Sequence, residues 1–287
     1  MPTESARDHS NSAPDSGGEL AWRQKRDALR TRLEGKTPPN ISAEEIEIHF
    51  STMPGHYWEQ VSEPDLIWGL ETIHGFFEVI ASGQTPPTTP FVSWRPIPES
   101  RQTRIMLCTW DRHGLLAKAA AAFSAVRLNI LQANVFTRTD NVVLDEFWVS
   151  NAAARTQVSE ARLEEMRFLL EGALSEPPRF ASVWACSRHK FLAAPTQVPP
   201  RIVFDNETSK TSTLVGIEAA DRLGLLYDIL QAMAEAKLDI KQARIQTDNN
   251  LAHDTIYVTD ERGQKLLDPH QLELLGAELE AALLVKG

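Results

Sequence analysis

The stretch DRHGLL, residues 111–116, returns as DRLGLL at residues 221–226, and this recurrence decides the fold. A displacement of 110 residues carries the match without a gap through Leu128 and Leu238, Ile130 and Ile240, Gln132 and Gln242, Ala133 and Ala243, and Thr137 and Thr247. One residue then drops out of the second copy's turn, after which Asp145 aligns with Asp254, Phe147 with Ile256 and Val149 with Val258. A duplicated unit tolerates a deletion at a hairpin tip most easily, because the loop is exposed and few backbone bonds cross it.

Working outward, each copy has the same order of elements. In the first, TRIMLCTW (103–110) reads as a strand, and Leu115, Leu116, Ala119, Phe123 and Val126 recur at helical spacing. NILQANVFTRT (129–139) alternates as a strand does, Asp140 and Asn141 supply a turn, and VVLDEFWVS (142–150) returns as its hairpin partner. Val158, Leu163, Met166, Leu169, Leu170 and Ala173 form the stripe of a second helix that stops before Pro177 and Pro178, and FASVWACS (180–187) reads as a last strand. The second copy runs TSTLVGIEAA (211–220), a helix through Leu225, Leu226, Ile229, Leu230 and Met233, then DIKQARIQT, LAHDTIYVTD and a helix with Leu272, Leu275, Leu279 and Ala282. The chain stops soon after that helix, so RIVFD (201–205), ahead of the repeat, is expected to fill its edge-strand position. The fold class is α+β: two ferredoxin-like βαββαβ units preceded by a small helical region.

Composition sets the boundaries. Residues 1–19 are polar and read as a disordered tail, 20–84 as the helical region, 85–100 as a linker, 101–188 as the first unit, 189–200 as a second linker and 201–287 as the second unit. In the helical region, HFSTMPGHYW (49–58) and LIWGLETIHGFFEVI (66–80) place Trp58 and Trp68 among apolar residues. These, with Trp94, read as core, the alternative being a partner-binding patch. Hydrophobic residues make up 42% and no run reaches the ~18 apolar residues of a membrane helix. With no leader in the polar tail, the expected compartment is the cytoplasm. A net charge of −10 without a basic cluster argues against nucleic acid, since Arg23, Lys25, Arg26, Arg30 and Arg32 lie along one solvated helix face. Cys108 and Cys186 read as structural thiols. His49, His56 and His74 lack ligand spacing, so neither a metal nor another cofactor is expected, and His74 reads as a core or interhelix hydrogen-bonding residue.

The chemistry worth weighing sits at the repeated turn. Asp111 or Asp221 ends a strand, Gly114 or Gly224 leaves the backbone open, and Leu115 or Leu225 begins a helix whose first amides have no internal partner. Such amides, at the positive end of a helix dipole, hold a carboxylate, while an acid side chain faces an ammonium group. Alternatively, Asp111 and Asp221 merely cap their helices.

The pattern DR-x-GLL, then NI or DI, then Ala-x-(Val/Ile)-x-Thr and Asp-x-(Phe/Ile)-x-Val resembles the ACT domain, a module that binds amino acids and regulates attached enzymes. More narrowly, RIVFDNETSKTSTLVGIEAADRLGLLYDI, ARIQTDNNLAHDTIYVTDERGQKL and HFSTMPGHYWEQ resemble the C-terminal, non-catalytic part of the bacterial PII uridylyltransferase/uridylyl-removing enzymes, over residues 20–285. That family's Gly-Ser nucleotidyltransferase motif and its His-Asp metal motif are not found in this sequence, and no catalytic residue is assigned. The resemblance implies a regulatory protein of nitrogen metabolism that binds an amino acid, glutamine first among candidates, and pairs its ACT-like sheets within a chain or in a homodimer. The implied site is Asp111, Gly114, Leu115, Asn129 and Ile130 in the first unit, and Asp221, Gly224, Leu225, Asp239 and Ile240 in the second. Two positions depart from the family pattern: His113 and Leu223 stand where Pro or a small residue is usual, and Arg127 and Lys237 where Gly is frequent. The other readings are a protein-docking module without a metabolite, and the non-catalytic subunit of a split uridylyltransferase.

Overall fold

TRIMLCTW carries apolar residues at consecutive positions, the pattern of a strand covered on both faces. In the computed structural model, which describes residues 16–152, 157–174, 199–248 and 250–284, it forms the strand Gln102–Trp110. Ile105 and Leu107 face one helical layer, Met106 and Cys108 another. The described strands are β1 Phe91–Ile97, β2 Gln102–Trp110, β3 Leu128–Asn134, β4 Val142–Asn151, β5 Arg201–Asp205, β6 Thr213–Ala220, β7 Asp239–Asp248 and β8 Leu251–Thr259. They form one antiparallel sheet in the order β1, β2, β4, β3, β7, β8, β6, β5, the two halves mirroring each other about the β3/β7 seam. At that seam Gln132, Ala133 and Asn134 pair with Gln246, Ile245 and Arg244.

Each half carries two helices on the same face: α5 Leu115–Ala125 and α6 Glu160–Leu174 on the first, α7 Leu225–Glu235 and α8 Pro269–Leu283 on the second. α5 packs against both α6 and α7. It fits there because Ala117, Ala119, Ala120, Ala121 and Ala122 are all buried and let neighbours approach closely. Phe123 and Phe147, with ring centroids 4.8 Å apart, anchor the shared core beneath it. α1 Ser16–Leu33, α2 Ala43–Thr52, α3 Gly55–Gln60 and α4 Glu63–Ala81 cover the opposite face of the first unit only. Trp58 and Trp68 lie in that second core. Trp94 instead sits on β1, half-buried, donating to Glu160 at 3.3 Å. His74 bonds Glu45 of α2 at 2.6 Å, the expected interhelix contact.

RIVFD fills the edge beside β6 as expected. The first unit uses the same device: β1 pairs with β2 along its whole length, so the span read as a linker, 85–100, contains an edge strand. Its Pro and exposed Arg are tolerated at an edge, which disguised it. Among the described residues both units therefore run ββαββα, preserving the ferredoxin-like strand order with the edge strand first. α1 begins at Ser16, inside the span read as a tail. FASVWACS, Cys186 and most of the 189–200 linker lie outside the described residues, while Cys108 is a buried free thiol.

Both α5 and α7 are followed by a residue in the left-handed region where the family pattern has Gly: Arg127 at φ 59° and Lys237 at φ 58°. A side chain there costs about 1–2 kcal/mol, offset in part by the larger unfolded-state entropy of Gly. Lys237→Gly, at an exposed position, is expected to raise stability by about 1 kcal/mol in urea unfolding.

Candidate functional site

The repeated motif folds identically in the two units. Gly114 (φ 69°) and Gly224 (φ 81°) are the N-caps of α5 and α7, a left-handed turn that needs Gly. Asp111 and Asp221 lie three residues earlier and do not cap these helices, so the capping reading is set aside. Their backbone N–H groups donate to Asn141 and Asn250 carbonyls at 2.8 Å, tying each motif to the hairpin tip of its own unit. The amides of Leu115 and Leu225 already donate to the Arg112 and Arg222 carbonyls at 3.1 Å. In the first unit, a carboxylate at this turn is therefore left with the amides of Leu116 and Ala117, which have no carbonyl one turn back.

The motif arginines are anchored to the surrounding backbone. Arg112 donates to the carbonyls of Leu174 (2.7 Å) and Thr88 (3.2 Å) and to Thr109 Oγ1 (2.6 Å). Arg222 donates to the Ala282 carbonyl at 3.0 Å and pairs with Asp228 at 2.7 Å. Each clamps the C-terminal turn of its unit's second helix.

The structure assembles the expected residues, but across units rather than within them. One pocket, of 40 Å³, is built by Asp111, Gly114 and Leu115 of the first unit with Asp239 and Ile240 of the second. Its twin, of 20 Å³, joins Asp221, Gly224 and Leu225 of the second unit to Asn129 and Ile130 of the first. The sequence grouping of Asn129 and Ile130 with Asp111, and of Asp239 and Ile240 with Asp221, is thereby corrected. The physical reason is the β3/β7 seam, which sets the start of each central strand beside the other unit's motif turn. In the smaller pocket Asn129 Nδ2 donates to Asp221 Oδ2 at 2.9 Å.

Two residues outside the expected set form the floors. Asp145 of β4 lines the first pocket and Asp254 of β8 the second. Asp145 is fully buried, its Oδ1 accepting from the Phe136 N–H at 3.2 Å while Oδ2 has no hydrogen-bond partner. Asp254 is 3% exposed and its Oδ1 is likewise unpartnered. Burial pushes the Asp145 carboxyl well above the ordinary range and that of Asp254 up to about 7. At the rim, burial and then the neighbouring Asp239 carboxylate raise Asp111. The sequence signal was available: Asp145 sits between Val143 and Phe147 on the core-facing register of its strand, and the second copy repeats the anomaly.

His113 Nε2 donates to the Ala234 carbonyl at 3.1 Å, closing one side of the larger pocket. His49 shares a hydrogen bond with Tyr57 Oη at 3.1 Å, and burial lowers its pKa to about 3. His56 stacks on Phe136. Among the described residues no three His, Cys, Asp or Glu side chains are placed to hold a metal ion, and no helix is long and apolar enough to cross a membrane. A roomier cavity of 290 Å³ lies on the other face, where Tyr57 and Asp65 meet Phe136, Glu146 and Trp148. Arg104 pairs with both of its carboxylates. No motif marked this cavity, because it arises where the helical region meets the sheet.

Residues 201–286 match the family model described as the ACR9-like, ACT-like domain. The bifunctional uridylyltransferase/uridylyl-removing enzyme of Gluconobacter oxydans is 34% identical over 194 residues, 66% of this chain and 20% of that enzyme. Its counterpart from Rhodospirillum rubrum is 32% identical over 66% of this chain and 20% of its own, and that from Azospirillum brasilense 32% over 89% and 26%. An aspartate kinase structure from Synechocystis aligns with 63% of this chain and 26% of its own, at 14% identity and a TM-score of 0.35. The chain is a tandem ACT-like protein resembling part of the uridylyltransferase/uridylyl-removing enzymes, and spans 20–26% of the length of these three.

Proposed function

We propose that this chain is a regulatory, amino-acid-sensing protein of nitrogen metabolism that acts in the cytoplasm without catalysis of its own. The observation that carries the reading is the crossed pair of pockets, each with an acidic rim, a glycine turn opening a helix, and a buried carboxyl with an unpartnered oxygen. An ammonium group answers the carboxyls and a carboxylate answers the helix amides. Glutamine is the first ligand to try, because the relatives are uridylyltransferases whose regulatory part this chain resembles. Calorimetric titration with glutamine and then the other amino acids is the test. Saturable binding that Asp111→Ala or Asp221→Ala weakens about tenfold or more supports a sensor, and no heat from any amino acid, with a folded sample, removes it.

A second reading, a protein-docking module or the non-catalytic subunit of a split uridylyltransferase, is favoured by one observation. Cavities of 40 and 20 Å³ hold only a few water molecules, so an amino acid enters only if the motif turns swing away from the facing strand ends. Among the described residues, the edges open to a homodimer are β1 and β5, since β3 and β7 already pair within the chain.

A further inference from the structure

The two pockets are related by the repeat but differ at the one position that decides whether a carboxylate is available. In the smaller pocket the facing unit offers Asn129, whose amide donates to Asp221 across the seam at 2.9 Å. Arg222 is held by Asp228 and the Ala282 carbonyl. The rim is therefore tied shut by a neutral donor. In the larger pocket the equivalent position is Asp239, whose carboxylate cannot donate to Asp111; burial first, and then repulsion from Asp239, raise the Asp111 carboxyl.

Two cations lie beside the larger pocket, and both pull the Asp111 carboxyl down against burial and Asp239. Lys241 pairs with Asp239, and Arg112 bonds to Leu174, Thr88 and Thr109. The cross-seam bond here is His113 to the Ala234 carbonyl, which engages neither Asp111 nor Asp145. Three carboxyls thus line one cavity: Asp239 is paired with Lys241, while Asp145, fully buried, has an oxygen without a partner. A group with several N–H donors and a positive charge satisfies both Asp111 and Asp145, as a primary ammonium does.

We infer that the chain binds one ligand, not two: the primary ammonium group of a small molecule sits between Asp111 and Asp145, while the Asn129–Asp221 bond latches the twin pocket closed. This rests on the amino-acid reading and adds a stoichiometry and a specific pocket to it. Asp145 is then the residue that selects an ammonium-bearing ligand, and Asp239 keeps the pocket open by being unable to copy the latch.

The test is calorimetric titration of the full chain with glutamine, the remaining amino acids and methylammonium. The expected stoichiometry is one per chain, with Asp145→Asn weakening binding about tenfold or more. Asp239→Asn, at a rim position that leaves the core untouched, is expected to introduce the latch and weaken binding similarly, while Asn129→Asp is expected to raise the stoichiometry to two. Two ligands per wild-type chain, or loss with Asp254→Asn and not Asp145→Asn, overturns the inference and leaves the sensor intact. Methylammonium binding without any amino acid keeps the ammonium pocket and removes the sensor. Silence with every probe, in wild type and Asn129→Asp alike, overturns both.

Discussion

Asp254→Asn is expected to make the protein more stable than wild type at pH 8 and no more stable, or less, at pH 4. Burial brings the Asp254 carboxyl from its ordinary 3.8 up to about 7 in the folded chain. Between those values the folded protein holds a proton that the unfolded chain releases, so stability falls as pH rises through the interval and levels off above it. The interval corresponds to about 4 kcal/mol. Asn keeps an acceptor for the Gln246 N–H that the carboxyl now uses but buries an added amide, which costs about 1–3 kcal/mol where it finds no partner. The expected net gain at pH 8 is therefore about 1–3 kcal/mol. Urea unfolding of both proteins between pH 4 and pH 8 checks this, and parallel curves would show that Asp254 ionises normally in the folded state. Asp145, displaced in the same direction, is expected to give the same sign.

The repeat made most of this architecture legible, because DR-x-GLL and the strands after it kept their register through duplication. The helix stripes and the edge role of RIVFD were equally readable, since each depends on local periodicity and on the four strands an ACT-like sheet needs. Phe91–Ile97 was not legible: SWRP has an interrupting Pro and a polar outer face, and only pairing with β2 makes it a strand. The expected site residues come together in the structure, but in a grouping other than the one read from the sequence. An internal repeat says that Asn129 corresponds to Asp239, whereas only the β3/β7 seam says that Asn129 faces Asp221. Asp145 and Asp254 could have been found by asking why an acid occupies a core-facing strand position twice, a question that alignment alone does not raise.

The second large effect is expected at Arg112, and it separates architecture from ligand binding within the same motif. An arginine beside an acidic pocket invites a role in holding a ligand carboxylate, yet its terminal nitrogens bond two backbone carbonyls and a threonine hydroxyl. One of those carbonyls, Leu174, ends α6, where the last turn has no helical donor. Arg112→Ala strands all three acceptors in a half-buried setting, where a bond to a charged donor is worth about 1.5–3 kcal/mol. Such losses are not additive within one network, so the expected destabilisation is about 3 kcal/mol in urea unfolding. Arg222→Ala, which loses one carbonyl contact and the Asp228 pair, is expected to cost less, about 2 kcal/mol. Lysine is expected to rescue little, because a single ammonium on a flexible stem does not reproduce the planar fork that spans α6, the Thr88 loop and β2. If Arg112→Ala left the unfolding curve in place and abolished amino-acid binding, the clamp would be a minor feature and the guanidinium would belong to the pocket. The reverse outcome, lost stability with ligand affinity retained once the variant is folded, assigns the Arg of DR-x-GLL to the helix clamp and leaves recognition to the acids on either side of the seam.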